Sequence, residues 1–433
     1  MGEKWYIIDI YIYDIIFRLI LTNHKTCPIL NIYAQKGRQF MNVTFLIGNG
    51  FDLNLGLKTS FSNFFGVYKT LPAITSRYAG KKATYTQEEF EEKLQRFKED
   101  IDSNITLWSD FEKRMGEYTD SENINNDKYL FIDILRDFRM NFANYLKEQT
   151  SDFDYSNIDY IKKNLGESVY DFHKHFLPQD KKTITDVFNT YRDNSYTTSI
   201  ILFNYTNILN HLINALPSSI QNNIHKHTYS SGNECSDTIK DVIHIHGTLS
   251  TNMIIGVNDK EQIVNEDFKE DAEVCRAFIK QSINEKVRDY RLSNSMEKIK
   301  NSDLICIYGM SFGETDRYIW EKVINWLLGA SQRKVVIFAF EKEYSPLNPE
   351  ETQEIIEEYQ DKLLNHNTFN EDERNEKISA LRNQIVVGIN TPIFRFDLHK
   401  KEHKPALPVL SVPNVSEQLK EVTNKISDLS SPK

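Results

Sequence analysis

Short apolar runs that stop at a glycine or a small polar side chain recur along this chain, and between them lie long mixed stretches with a period of three to four residues. The first run, residues 43–47, ends in Gly48-Asn49-Gly50-Phe51-Asp52 and continues through Gly56, Thr59 and Ser60. An apolar run of that length against glycines predicts a buried strand and a tight turn. Further runs cover 199–203, which stops at Asn204-Tyr205-Thr206-Asn207; 242–246, which stops at Gly247; and 304–308, which stops at Gly309 and reaches Ser311, Glu314 and Asp316. Residues 334–340 and 392–396 complete the set of predicted strands. The stretch 62–194 reads differently. Phe90, Leu94, Phe97 and Ile101 share one helical face, and Trp108, Phe111 and Met115 form another stripe with Asp110 and Glu112 off it.

Buried strands that each deliver polar residues before a helix predict an α/β fold: a Rossmann-like, mostly parallel sheet with a large helical insertion. In such sheets ligands bind beyond the carboxyl ends of the strands, so the turn at 48–52, Asn204, His246 and the stretch 309–316 are expected to converge on one cleft. The expected organisation is a core from 41–61 and 195–398, a helical insertion over 62–194, and a tail from 399 that frays. Residues 350–384 are charged with helical period and predict a solvated excursion before the last strand. The apolar segment 5–21 contains Asp9, Asp14 and Arg18, which argue against a membrane span and interrupt any signal-peptide core. Met41 stands just before the first strand, so residues 1–40 are expected to be a non-native upstream extension, with an N-terminal hairpin or interfacial helix as the competing reading.

Composition narrows the partners. A net charge of -10 over 433 residues disfavours a surface for nucleic-acid phosphates or anionic lipid and points to small molecules or proteins. The four cysteines form no C-x-x-C pair, which fits a reducing cytoplasm rather than a disulfide framework.

The blocks also carry a family likeness. The segment from Phe45 to Phe61, then Trp108-Ser109-Asp110-Phe111-Glu112, Phe203-Asn204-Tyr205-Thr206, His244-Ile245-His246-Gly247 and the run from Gly309 to Asp316, resemble in order the blocks of the bacterial AbiH family, associated with abortive phage infection. The likeness extends over residues 41–398 and implies an antiphage role, with Asp110 and Glu112 facing the cleft. A more distant likeness is to the sirtuin-like NAD-consuming domains of bacterial defence systems. Their glycine turn, Asn block, His-Gly block and Gly-x-Ser with a later Asp fall on Gly48 and Gly50, Asn204, His246 with Gly247, and Gly309, Ser311 with Asp316. Two departures stand out: Thr206 occupies a place where those domains usually have Asp, and G-N-G-F-D replaces their small-residue turn. The resemblance implies NAD or a related nucleotide as ligand or substrate, no prosthetic group, a phage-derived trigger and a homo-oligomer.

On this reading His246 and Asn204 are the catalytic candidates, since an imidazole titrates near neutrality and an amide offers both donor and acceptor. Gly48, Asn49, Gly50, Phe51, Asp52 and Thr59 are expected to bind the nucleotide, with the glycine turn on the pyrophosphate. Gly247, Gly309, Ser311, Glu314 and Asp316 complete the binding set. Asn204 and Asp316 have a plainer alternative as helix caps. A non-catalytic nucleotide sensor is the alternative that Thr206 favours. A metal-dependent hydrolase is another, because His225, His227, Cys235, His244 and His246 crowd one short stretch.

Overall fold

The structure, a computed structural model, describes residues 40–398 apart from 102–104, 106, 152 and 288–289. The expectations for residues 1–40 and for the tail lie outside the described residues, save for Phe40. Among the described residues, 40–151 and 155–397 form one unit, treated below; 153, 154 and 398 fall to a second.

Seven strands make one sheet: β1 (Phe40–Ile47), β2 (Ser195–Leu202), β3 (His225–Thr228), β4 (Glu234–His244), β5 (Leu304–Tyr308), β6 (Lys334–Ala339) and β7 (Ile385–Ile389). They lie in the order β3-β4-β2-β1-β5-β6-β7, and every neighbouring pair is parallel except β3 with β4. β1 is central, pairing with β2 from Phe40↔Ser195 to Ile47↔Leu202 and with β5 from Val43↔Leu304 to Ile47↔Tyr308. Its last five residues are all buried, so they read as a continuous apolar run rather than an alternation. Successive strands are added on one side of β1 and then, from β5, on the other. The crevice expected at such a reversal lies between the turns that follow β1 and β5.

Helices fill the connection from β1 to β2. Phe61–Tyr68, Gln87–Asp100, Trp108–Tyr118 and Lys128–Gln149 pack around aromatic side chains, with Phe111 stacked on Phe138 at 4.3 Å between ring centroids. The β4–β5 connection joins this core through Ile255, Val257, Phe268 and Phe278. Arg139 fixes that junction, donating to the carbonyls of Ile255 and Ala277 at 2.6 Å each. A second core sits on the sheet and includes the fully buried Trp320 of the Arg317–Leu328 helix. Residues 350–384 lie mostly in two helices, Pro349–Leu364 and Glu371–Arg382. No helix among the described residues is long and apolar enough to cross a membrane.

The strand expectations need two amendments. Among the described residues the last strand is β7, not 392–396: Asn390 turns the chain with φ +49°, Pro392 has no N–H for a ladder, and the backbone N–H of Phe394 goes instead to Ser168 Oγ at 2.7 Å. The His225-Lys226-His227 stretch, where no strand was predicted, is β3, an edge strand that needs no apolar run because one side of its ladder is unpaired.

Candidate functional site

A cavity of about 440 Å³ opens where the strands β1, β2 and β5 end. Ten of the predicted residues line it: Gly48, Asn49, Gly50, Asp52 and Thr59 from the β1 turn, Asn204 after β2, His246 after β4, and Gly309, Ser311 and Asp316 after β5. Three do not. The Phe51 ring is buried and packs on Phe394 at 5.8 Å, which makes it a core residue. Gly247 has φ +82°, and a Cβ there would meet Asn252 O at 1.8 Å, so its glycine serves a tight turn. Glu314 is exposed and faces His366 and Arg317.

The glycine turn does a different job from the one expected of it. The amides of Gly48, Gly50 and Phe51 donate to Tyr308 O, Gly309 O and Gly48 O at 2.9–3.0 Å, so they are committed and do not form a pyrophosphate cradle. A Cβ on Gly50 would lie 2.4 Å from Gly309 Cα. The glycines let the turns after β1 and β5 touch backbone to backbone, which brings their side chains into one cleft.

Two polar groups face each other there. In the first, the Thr206 hydroxyl donates to both Asp52 carboxylate oxygens at 2.8 and 2.9 Å, and Asn204 Nδ2 donates to Thr206 Oγ1 at 3.3 Å. Burial pushes the Asp52 carboxyl up to about 6 against the pull of Thr206 and Asn204. Asn204 Oδ1 is buried without a hydrogen-bond partner. In the second, Asp316 Oδ1 lies 3.0 Å from His246 Nε2 and 2.9 Å from Lys280 Nζ. Lys280 Nζ also meets Glu112 Oε2 at 2.8 Å, and Glu112 accepts from Thr315 Oγ1 at 2.6 Å and from the Gly256 N–H at 3.0 Å. Burial alone would raise the Asp316 carboxyl, but Lys280 and His246 outweigh it and hold the group well below the usual range. His246 Nε2 faces Asp316, which leaves Nδ1 as the ring nitrogen not engaged with that carboxylate.

Neither helix-cap alternative holds. The helix Ile208–Ala215 begins at Asn207 without a side-chain cap, and Asp316 precedes its helix while its carboxylate is spent on His246 and Lys280. The amide of Tyr318 is met by Asn258 Oδ1 at 3.0 Å instead.

The match to known families now has a structural setting. Residues 44–338, from within β1 to the end of β6 and spanning the central cleft residues, match the family described as Bacteriophage abortive infection AbiH. This chain belongs to the AbiH family. No curated protein matches it. AbiH membership implies a role in abortive phage infection and bears out the first resemblance; the sirtuin-like one stays an expectation.

Of the two acidic residues that the family resemblance placed at the cleft, one lines it. Glu112 faces it, whereas Asp110 is exposed. Lys280 was missed altogether: it opens a polar helix, Lys280–Val287, with no motif around it. Phe340, Tyr359 and Lys362 at the rim were also missed, and Lys362 Nζ sits 3.9 Å over the Tyr359 ring. The histidine crowding proves to be two places. His244 points to Asn204 O and Asn210 Oδ1 at 3.2 and 2.6 Å, and burial drops its pKa to about 4. Among the described residues it forms no metal-spaced group with His246.

Proposed function

We propose that this AbiH protein acts in abortive infection by binding NAD or a related nucleotide in the cleft and hydrolysing its N-glycosidic bond, on a Rossmann-like sheet. The strand order supports the fold reading: the six parallel strands, numbered in chain order, lie as 3-2-1-4-5-6, the dinucleotide-binding arrangement. The observation that carries the functional reading is Asn204 Oδ1, a buried acceptor without a partner in the cleft that Asp52, Thr206, His246 and Asp316 also line. A buried acceptor left unpaired costs roughly 1–3 kcal/mol, which a ribose hydroxyl donor would recover.

The chemistry follows from charge. Cleaving the nicotinamide–ribose bond sends its electron pair to the ring nitrogen and leaves an oxocarbenium-like ribosyl cation. Asp52 and Asp316 place carboxylates in a largely apolar cleft, where they stabilise a cation more strongly than in water. Water adds at the anomeric carbon and gives its proton to His246 Nδ1, with Asp316 orienting the ring. The phosphates belong at the mouth, near Lys362, because the Gly48, Gly50 and Phe51 amides of the β1 turn are occupied. Thr206, which on its own favours a non-catalytic sensor, is hydrogen-bonded to Asp52, so the cleft regains at Asp52 the carboxylate that position 206 lacks.

Nicotinamide release from NAD by the full-length protein tests this, with His246→Ala and Asn204→Ala in parallel and thermal shift on the same samples. Turnover that falls at least 100-fold in both variants is expected. A thermal shift without turnover would give the sensor reading, and no response in either assay would end the nucleotide reading.

A further inference from the structure

At the antiparallel edge of the sheet, away from the cleft, the β3–β4 hairpin sets His225 opposite Asp237 and His227 opposite Cys235. Residues two apart on a strand share a face, so His-x-His and Cys-x-Asp form a square of four side chains on one side of the hairpin. Asp237 is fully buried and Cys235 nearly so. One ligand atom from each of His227, Cys235 and Asp237 lies within 4.8 Å of the other two.

Both ring nitrogens of His227 face oxygen atoms. His227 Nε2 is 3.1 Å from Arg192 O, and Nδ1 is 3.0 Å from both oxygens of Asp237. A neutral imidazole carries one N–H, so it satisfies one of these acceptors and turns a lone pair on the other. With Nε2–H on the Arg192 carbonyl, Nδ1 turns its lone pair toward the Asp237 carboxylate, and Cys235 Sγ lies within 4.8 Å of the same atoms. The surroundings fit a ligand set held from behind. Asp237 also accepts from the Tyr196 N–H at 2.8 Å and lies 2.8 Å from His225 Nδ1, while the Tyr196 ring stacks on His227 at 3.9 Å. A histidine whose second nitrogen is tied to a carbonyl, beside a carboxylate that is itself hydrogen-bonded, is the supporting shell metal ligands use.

We propose that His227 Nδ1, Cys235 Sγ and an Asp237 carboxylate oxygen bind a zinc-class divalent cation that staples the edge strand β3 to β4. Nitrogen, thiolate and carboxylate donors together select a borderline-soft ion over magnesium or calcium, which prefer oxygen alone. Bond lengths of about 2.0–2.3 Å hold tetrahedral donors roughly 3.3–3.7 Å apart, so the 3.0 Å nitrogen–oxygen separation needs only a small outward shift. Three protein ligands leave one position for water. The site is remote from the proposed chemistry: Asp237 and His244 lie seven residue steps apart along β4, roughly 23 Å of strand.

The test uses the full-length protein in reducing buffer, stripped with chelator and titrated with zinc or cobalt(II). One equivalent of metal per chain is expected, with a thiolate-to-cobalt charge-transfer band that Cys235→Ser abolishes and Cys275→Ser leaves. Asp237→Asn and His227→Gln should each weaken binding at least tenfold. Zinc should raise the melting temperature of the stripped wild-type chain in a concentration-dependent way. Absence of the charge-transfer band in the wild type would overturn the proposal and leave a protonated His227 paired with Asp237. That readout stands even if Cys235→Ser does not fold. A band lost in Cys275→Ser and kept in Cys235→Ser would overturn it equally.

Discussion

Asp52 shows how one residue couples the cleft to stability. Its carboxyl is fully buried, takes the Thr206 hydroxyl on both oxygens, and has its pKa raised from 3.8 to about 6. A carboxyl whose pKa is higher folded than unfolded binds its proton more tightly in the native state. Its stabilising contribution is therefore full below about 3.8 and is lost as pH rises through about 6. A shift of that size corresponds to roughly 3 kcal/mol. Asp52→Asn keeps the shape and removes the charge. In urea melts, the variant should gain on the wild type between pH 4 and pH 7, by up to roughly 3 kcal/mol. A difference that stays flat across this range would show that Asp52 does not titrate there. Asp52 was recognisable as a polar residue after a glycine turn, but its partner lies 154 residues away, and no local pattern announces such a pairing.

The paired turns after β1 and β5 decide matters at the scale of elements. Gly309 has φ +64°, and a Cβ added at Gly50 would enter its backbone. Backbone does not yield as a side-chain tip does, so Gly50→Ala should cost about 2–3 kcal/mol by denaturant melt. Gly66 provides the contrast: it sits in the Phe61–Tyr68 helix with nothing within 4 Å of where a Cβ would stand, and Gly66→Ala should stabilise by about 0.5–1 kcal/mol. Equal losses at both positions would refute the close-approach account. The strands of the sheet centre were legible because burial on both faces forces unbroken apolar runs. The edge strand β3 and the first half of β4 were not, since their His, Lys, Cys and Asp residues form no such run. The misplaced last strand has a similar cause: Phe394 and Phe396 are buried and aromatic, yet they pack as a loop rather than pair in a ladder.

Across the whole unit, Lys280 ties together three regions that are distant in sequence. Glu112 comes from the helices between β1 and β2, Lys280 from the β4–β5 connection, and Asp316 with His246 from the strand ends. The sequence signalled the strand-end residues through their position after apolar runs. It gave no signal for Lys280, whose place depends on the Arg139 bonds to Ile255 O and Ala277 O and on the Lys280 N–H donated to Val257 O at 2.9 Å. Lys280→Met should leave two buried carboxylates without their counter-ion, at a cost of about 3–5 kcal/mol. Adding Glu112→Gln should recover part of that loss, because it removes one of the two stranded charges. A double-mutant cycle on urea melts would therefore return a coupling of about 1 kcal/mol or more. Additive losses would mean that Lys280 and Glu112 act separately, and that the helices do not hold the His246–Asp316 pair through this chain of charges.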